Sequence, residues 1–351
     1  MNRFNFDYIV GSGGIGKGIL FKLQGDHTLG RSESRLGQLT NYKDYCKLHI
    51  ILHYAAVFLE GKIPVYAIGR VGCDKEGQQL KQDMSAVGID VSCVEEDEES
   101  PTMYAVCYQY PTGEGGNITT VNSASSHVTQ KDIDRFFRMK APKGKGIVLA
   151  APEVPLEARL RLLEHGRRKN CLNVAAVLSG EVKSFVQLGG VKKTDILSLN
   201  LDEAAAFAAL NPQADSDVIV GCVAFLQRIN PEISVVVTQG AKGAMVCHGL
   251  CKYLSPPIDV SVTSTAGAGD CLIGTIMAAL VMGIPLIPFE KTKDAMASAL
   301  DIGSAASSKK VTCADTIDSS LNRNTLAAFA QQHALNFSSE IMQKFFQVST
   351  N

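Results

Sequence analysis

Residues 264–280 read STAGAGDCLIGTIMAAL, and this is the most informative stretch of the chain. Its second part predicts a helix that stops near Gly283 and Pro285, because apolar side chains recur at helical spacing, at positions 272, 273, 276, 277 and 280. The glycines before it therefore lie at a helix N-terminus, where free backbone N–H groups and the positive end of the helix dipole favour an anion. Asp270 falls in the first turn, beside that predicted anion site.

A carboxylate next to an anion site suits phosphoryl transfer. Asp270 could deprotonate an attacking hydroxyl, while the backbone amides of Gly267, Ala268 and Gly269 stabilise charge on the transferring group. Glycine also lets the backbone approach a phosphate closely. The same residues equally fit a glycine-rich helix entry with Asp270 as an ordinary first-turn acid, so local chemistry leaves both interpretations open.

Outward from this stretch, short apolar runs alternate with helical patterns such as residues 155–169 and 219–229. The run 235–237 is apolar throughout, which is typical of a central parallel strand. The predicted strands are 8–10, 65–68, 104–109, 118–121, 147–150, 171–174, 196–199, 235–238 and 243–247. This alternation predicts an α/β fold with a mostly parallel central sheet covered by helices.

Two segments, at about residues 12–36 and 101–121, break the alternation. In the first, residues 19–24 favour a strand between glycines, and the second has a hairpin turn signal, PTGEGG, at 111–116. Together they predict a small β-sheet that projects from the main body. We expect a single domain over residues 1–351, ending in a helical tail at about 321–348. The acidic run 95–99 is expected to be a solvated loop rather than a metal site.

Composition excludes several classes of protein. The 351 residues are 46% hydrophobic, with a net charge of -1, so neither nucleic acid nor an anionic membrane is a predicted partner. Apolar runs stay short of the roughly 18 residues that span a bilayer, and the first residues lack a signal-peptide core. Ten cysteines without a CxxC pair indicate free thiols. We therefore expect a soluble, cytoplasmic protein.

Beyond the glycine stretch, further motifs resemble those of the ribokinase-like carbohydrate kinases, the phosphofructokinase-B (PfkB) family. TAGAGD before a helix is similar to the C-terminal signature of that family. The other matching motifs are NLDE at 200–203, TQGAKG at 238–243, GRVGCDKEG at 69–77, and Glu153 with Pro155 as Glu-x-Pro. The motifs follow the family order over about residues 5–312.

This resemblance implies a three-layer α/β sandwich with a small β-sheet lid, and an ATP- and Mg²⁺-dependent kinase. The acceptor would be a hydroxyl of a small polar molecule such as a sugar, sugar phosphate, polyol or nucleoside, with Asp270 as base and an anion hole at Gly267, Ala268 and Gly269. The nucleotide and its magnesium would be held by Asn200, Glu203 (as metal contact), Thr238, Gly240 and Gly243, with residues 304–310 near the adenine. Family members can pair through the lid, so a homodimer is an open expectation.

The substrate half departs from the family pattern. Gly16 stands near the position of the sugar-gripping Asp, and residues 36–41 only echo the family's Gly-Gly-Lys-x-x-Asn. By resemblance, Gly14, Gly16, Asn41 and Glu153 would border the substrate. Arg31 and Arg35 are read either as a solvated loop or as ligands of an anionic substrate group, since guanidinium groups match phosphate and carboxylate. Ser264 replaces an Asp of the signature, so activation by a monovalent cation is left open.

Other interpretations compete with the kinase. Residues 11–18 fit both GxGxxG and GxxxxGK, but either motif needs a helix over about 16–29, where the sequence favours a strand. His49 and His53 have the spacing of HExxH, yet Ile50 replaces the Glu, which excludes a zinc protease. The remaining alternative is a non-catalytic binding or regulatory protein with the same fold.

Overall fold

The computed structural model describes residues 5–40, 43–112, 115–211, 217–288 and 295–348. In chain order, the strands are β1 (Tyr8–Ser12), β2 (Gly16–Leu23), β3 (Gly37–Leu39), β4 (Asp44–Tyr45), β5 (Val65–Gly72), β6 (Ile89–Asp97), β7 (Met103–Gln109), β8 (Gly115–Thr119), β9 (Gly146–Ala150), β10 (Leu172–Ala176), β11 (Ile196–Leu199), β12 (Ser234–Thr238), β13 (Ala244–His248) and β14 (Cys251–Ser255). The α-helices are α1 (Lys47–Leu59), α2 (Lys75–Ala86), α3 (Gln130–Met139), α4 (Leu156–Arg168), α5 (Val182–Gln187), α6 (Gly190–Lys193), α7 (Leu201–Ala208), α8 (Val218–Ile229), α9 (Ala268–Val281), α10 (Ala299–Lys310), α11 (Arg323–Gln332) and α12 (Ser339–Lys344).

The main sheet has the strand order β14-β13-β12-β11-β10-β9-β1-β5-β6. Neighbours from β12 to β6 pair in parallel, and β13 and β14 add an antiparallel edge. β1 and β9 at its centre are buried along their whole length. A parallel sheet needs cover on both faces, which explains why its central strands read as unbroken apolar runs.

Helices cover both faces of this sheet and give three layers. Ile9 of β1 packs into a core that contains α1, α9 and α10, whereas Tyr8 and Val10 pack into the opposite core with α3, α4 and α7. The architecture confirms the predicted α/β sandwich with a mostly parallel sheet. Within the first core, α1 and α9 approach to backbone distance, because a Cβ on Gly274 would lie 2.4 Å from the Ile51 carbonyl oxygen.

A second, smaller sheet has the order β3-β2-β7-β8, and β4 also pairs with β2. We call these five strands the lid. β2 and β7 run parallel, and the other lid pairs are antiparallel. The strand expected at 19–24 is thus part of β2. Because β2 occupies Gly16–Leu23, the helix that the dinucleotide and P-loop interpretations require is absent from this described segment, and both interpretations are wrong.

The acidic run is only partly a loop. Glu95, Glu96 and Asp97 end β6, the outermost strand of the main sheet, so the loop prediction for them is wrong. The strand accommodates its charges because they have partners: Glu96 accepts from Lys81 at 2.7 Å, and Asp97 contacts His127 Nδ1 at 2.8 Å. Among the described residues, no group of three His, Cys, Asp or Glu side chains is arranged to hold a metal ion.

The tail after α10 carries two helices, α11 and α12. Phe345, just after α12, is fully buried, so the tail packs onto the first core. Across the described ranges, no helix has both the length and the apolar character to cross a membrane.

Candidate active site

The glycine stretch forms a tight turn that opens α9. Gly267 is the residue before the helix and has a φ of 76°, a left-handed conformation that favours glycine. A Cβ at this position would also lie 2.4 Å from the carbonyl oxygen of Thr316. The turn therefore requires glycine on two counts, and it leaves the first amides of α9 at the end of the helix with Asp270 in the first turn.

This turn borders a cavity of about 760 Å³. The cavity lies at the carboxyl ends of β11 and β12, the edge at which open α/β sheets bind ligands. The predicted site residues that line it are Ala268, Gly269, Asp270, Asn200, Glu203, Thr238, Gly240 and Gly243. The wall also contains Ser304, Ser307 and Ser308 of α10, and residues 256–260. The fold thus brings together residues that lie far apart in the sequence.

Asn200 and Glu203 form the start of α7 as a reciprocal pair. The Asn200 side chain accepts from the Glu203 amide at 2.8 Å, and the Glu203 carboxylate accepts from the Asn200 amide at 2.9 Å. This capping box fixes both side chains at the cavity wall. The other Glu203 oxygen accepts from Lys47 Nζ at 3.1 Å. Because Glu203 is only 5% exposed, its carboxylate needs a partner inside the protein, and Lys47 is that partner.

Lys47 is a site residue that sequence reasoning missed. It opens α1, lines the cavity, and faces Asp270, Glu203 and Glu153. Although burial alone would lower it, the pKa of Lys47 is raised by these surrounding carboxylates. The signal in the sequence is a lysine at the start of a helix whose other residues are mostly apolar. Residues 37–39, which echo the family's lysine motif, instead form the exposed lid strand β3.

The carboxyl groups facing Lys47 have raised pKa values. Loss of hydration raises the pKa of Asp270 to about 6, against the opposing attraction of Lys47. The same cause raises the pKa of Glu153 to about 7, again opposed by Lys47. Glu153 has a φ of 74°, uncommon for a residue other than glycine, and its Oε2 is buried without a hydrogen-bond partner among the described residues. Strain and unmet polar atoms of this kind cluster at functional sites.

Gly14 and Gly16, expected at the substrate, lie in packed surroundings. A Cβ on Gly14 would be 2.3 Å from Met103 Cε and 2.6 Å from Glu153 Cβ, and one on Gly16 would be 2.5 Å from the Met103 carbonyl oxygen. The structure therefore brings Gly14 and Glu153 together. Neither glycine lines the large cavity. Met103, which is 2% exposed, fills the space in front of them.

The two predicted arginines lie in the lid region. The Arg35 guanidinium donates to Glu33 at 2.6 Å and to the His27 carbonyl at 2.7 Å, and it lies over the Tyr110 ring. Arg31 is exposed, and neither arginine lines the large cavity. Asn41 lies outside the described residues.

His49 and His53 are buried on α1 with ring centroids 6.4 Å apart. Burial lowers their pKa values to about 3 and about 4, so both are neutral at physiological pH.

A second cavity, of about 340 Å³, lies between the lid and the glycine turn. Its walls are Lys22 and Leu23 of β2, residues 109–112 at and after the end of β7, and residues 262, 263 and 265. Val262 and Thr265 line both cavities, so the lid meets the large cavity at the glycine turn. The two predicted arginines lie outside this wall as well.

The chain is similar to several kinases. Adenosine kinase 2 of Arabidopsis thaliana is 26% identical over 234 residues, which is 61% of this chain and 65% of that protein. Adenosine kinase 1 of the same plant is 27% identical, over 66% of its length, so the match spans slightly less than two thirds of both relatives.

Solved structures share the fold at lower identity. Ribokinase of Giardia lamblia superposes with a TM-score of 0.75 at 16% identity, covering 93% of this chain and 99% of that chain. Ribokinase of Cryptococcus neoformans gives 0.70 at 18% identity, covering 92% and 99%. The pattern of the pfkB family carbohydrate kinases matches residues 52–323, which confirms the resemblance drawn from the motifs. The chain belongs to the pfkB family of carbohydrate kinases.

Proposed function

We propose that this chain transfers the γ-phosphoryl group of ATP to a hydroxyl of a small polar molecule, with Asp270 as the general base. The observation that carries the proposal is the position of Asp270, a carboxylate with a raised pKa at the N-terminus of α9, in a large cavity and facing Lys47. A base whose pKa lies near 6 is mostly ionised at pH 7 and is still basic enough to accept a hydroxyl proton. Family membership supports the same reaction.

The other groups would hold and stabilise the transferring phosphoryl. Amides at Gly267, Ala268 and Gly269 would donate to its oxygens, since the start of α9 favours an anion. The positive charge of Lys47 would offset the negative charges of Asp270 and of the phosphates beside it. These groups are already fixed by the fold, so little reorganisation accompanies the chemical step.

Magnesium fits this site chiefly as a partner of the nucleotide. Mg²⁺ usually binds one or two carboxylates together with phosphate oxygens and water, and Glu203 offers a carboxylate at the cavity wall. Because Glu203 already accepts from Lys47 and from the Asn200 amide, we propose that it contacts the ion through water or phosphate. The ion would supply charge neutralisation on the phosphates. A relative of the ribokinase II type from Escherichia coli was solved with ATP and Mg²⁺.

The nucleotide would lie along Thr238, Gly240 and Gly243, with α10 on the opposite wall. Gly243 has a φ of 87°, and a Cβ there would lie 2.4 Å from the Ser255 carbonyl oxygen, so this loop needs glycine. The Cryptococcus neoformans ribokinase was solved with ADP, which supports nucleotide binding by this fold.

The acceptor is proposed only as a class: a sugar, sugar phosphate, polyol or nucleoside. The Arabidopsis relatives are adenosine kinases, and a Salmonella enterica neighbour was solved with aminoimidazole riboside, so a ribosyl compound is a reasonable first acceptor to assay. Glu153, whose Oε2 lacks a partner within the described residues, is the group that we propose to accept from an acceptor hydroxyl.

The lid supports a further proposal, a homodimer. Ile19, Phe21, Leu39, Val106 and Ile118 share one lid face, because Ile19 pairs with Val106, Phe21 with Leu39, and Val106 with Ile118. Ile118 is 71% exposed and Leu39 57% exposed. An apolar face of this kind marks an interaction surface. We also propose a cytoplasmic location, for which the free cysteines are the support.

The deciding experiment is Asp270→Asn, which keeps the size of the side chain and removes the proton acceptor. We expect kcat to fall by about 10²–10⁴, as is typical when a general base is lost, while ATP still binds. Asp202→Asn is the matched control, because Asp202 is an exposed first-turn acid of α7 outside the cavity. Turnover by Asp270→Asn at the wild-type rate would favour the alternative, a binding or regulatory protein.

A further inference from the structure

Lys310, the last residue of α10, is fully buried although it carries an ammonium group. Its Nζ donates to the carbonyl oxygen of Ser264 at 3.3 Å and to that of Ala266. Both carbonyls belong to the turn that leads into Gly267 and α9. A buried charge is unfavourable unless polar groups surround it, so these contacts are what keep the ammonium under the turn.

The position of the ammonium fixes which way the turn faces. The described residues contain no cis peptide bond, and in a trans peptide the C=O and N–H point in opposite directions. With the Ala266 carbonyl directed at Lys310, the N–H of Gly267 points away from it. The Ser264 carbonyl is also directed at Lys310, so the N–H of Thr265, a residue that lines the large cavity, likewise points away from the ammonium. Lys310 therefore holds these amides in the outward orientation that an anion needs.

The rest of this helix end supports the same turn. The Val311 carbonyl accepts from the amides of Thr263 at 2.7 Å and Ser264 at 3.1 Å, and the Ser307 hydroxyl donates to the Ala268 carbonyl at 3.0 Å. These contacts fix the ends of the loop, and the Ser264 and Ala266 carbonyls between them accept from Lys310. Lys310 alone adds a positive charge to the set. Burial lowers the pKa of Lys310, and the facing groups Cys271, Cys313, Asp318 and Asp270 oppose that shift; Asp44 also faces it.

We propose that Lys310 is a positioning residue that supplies, from within the chain, the monovalent positive charge that holds the phosphate-binding turn in shape. Carbonyl oxygens that converge on one point can replace the hydration shell of an alkali ion. Here two such carbonyls accept from an ammonium group, which carries the same charge. Turnover should then be independent of added potassium. The proposal rests on the kinase function proposed above.

The experiment compares Lys310→Met with Lys309→Met. Lys309 is the neighbouring lysine on the same helix, pairs with Asp318 at 3.0 Å and makes no contact with the turn among those described. We expect Lys310→Met to stay folded by circular dichroism and to lose kcat by about 10²–10³, the usual effect of removing a preorganised anion-stabilising group. The fold decrease in kcat should exceed the fold increase in the KM for ATP. The pH at which kcat begins to fall on the acid side should be higher in this variant, because Asp270 loses a nearby cation. In Lys310→Ala, methylammonium or potassium should restore part of kcat.

Wild-type kcat in sodium, potassium and choline salts gives a test that needs no variant. Equal rates are expected, and stimulation by potassium would overturn the proposal, even if Lys310→Met failed to fold. A wild-type kcat in Lys310→Met would overturn it too. If the wild type phosphorylates none of the assayed acceptors, the kinase function fails first. The affinity for an unreactive ATP analogue, which carries the γ-phosphate, measured by calorimetry then decides the role of Lys310, because unchanged affinity in Lys310→Met would refute it.

Discussion

Asp270 governs how this chain should respond to pH. Its pKa is raised to about 6, and the base must be ionised to accept a proton. We therefore expect kcat to rise as pH increases through about 6 and then to level off. The measurement is kcat against pH at saturating substrates, with the buffer species varied as a control. A profile that is flat between pH 5 and pH 8, a range that brackets this pKa, would contradict the assignment of Asp270 as base.

The raised pKa of Asp270 also affects folding stability: a rise in pH that increases kcat should decrease stability. Because the folded-state pKa of Asp270 lies above the ordinary value of 3.8, the folded protein binds this proton more tightly than the unfolded chain does. Stability from this group is present at low pH and is lost as pH rises between the two pKa values. Asp270→Asn should therefore raise Tm above pH 6 while it lowers kcat, and both changes come from one carboxylate.

Arg31 and Arg35 differ in what a substitution should do. The Arg35 guanidinium is committed to Glu33 and the His27 carbonyl, so Arg35→Ala should loosen the lid turn. Arg31 is exposed and lies outside the walls of both cavities, and its contact with an anionic acceptor stays a proposal. We expect Arg31→Ala to raise the KM for a phosphorylated or carboxylated acceptor more than it lowers kcat, as for lost uniform binding.

The control for that comparison is Arg168→Ala, an exposed arginine at the end of α4. The informative quantity is kcat/KM for the phosphorylated and the neutral form of one acceptor. Equal values for the two forms would show that the lid arginines play no part in substrate choice.

At the scale of single elements, the start of α7 links stability to nucleotide binding. Asn200→Ala removes one half of the capping box and should cost about 1 kcal/mol of folding free energy. It also removes the Asn200 side chain from the cavity wall, which should raise the KM for Mg·ATP. Asn322→Ala is the matched control, because Asn322 forms the same type of box at α11, away from the cavity. We expect the two variants to lose similar amounts of Tm, and only Asn200→Ala to show a raised KM for Mg·ATP. An unchanged KM in both variants would show that Asn200 is not part of the nucleotide site.

Sequence patterns predicted some elements well and others poorly, for physical reasons. The strand β2 could be predicted because close glycines disfavour a helix, and α9 because its apolar spacing is regular. No part of β6 was predicted as a strand, and its acidic end was expected to be a loop, because ion pairs with residues outside the strand, such as Lys81, compensate charges that look solvated in sequence. Lys47 was missed for the same reason: its partners come from α7, from Glu153 after β9, and from α9. Local patterns do not record contacts between distant segments.

At the scale of the whole molecule, the lid face predicts association. Ile118→Lys places a charge on the exposed apolar face and should shift a dimer to a monomer in sedimentation velocity. Leu250→Lys is the matched control, since Leu250 is fully exposed in the turn between β13 and β14, away from the lid. A monomer in the wild type at all concentrations, or a dimer that survives Ile118→Lys, would contradict pairing through this face.

The backbone contact between α1 and α9 at Gly274 has a consequence for turnover. Lys47 stands at the start of one of these helices and Asp270 at the start of the other, and no side chain separates the helices where they cross. The ammonium and the carboxylate thus belong to one rigid body. The entropy of bringing them together is lost once, when the chain folds, and not again in each catalytic cycle.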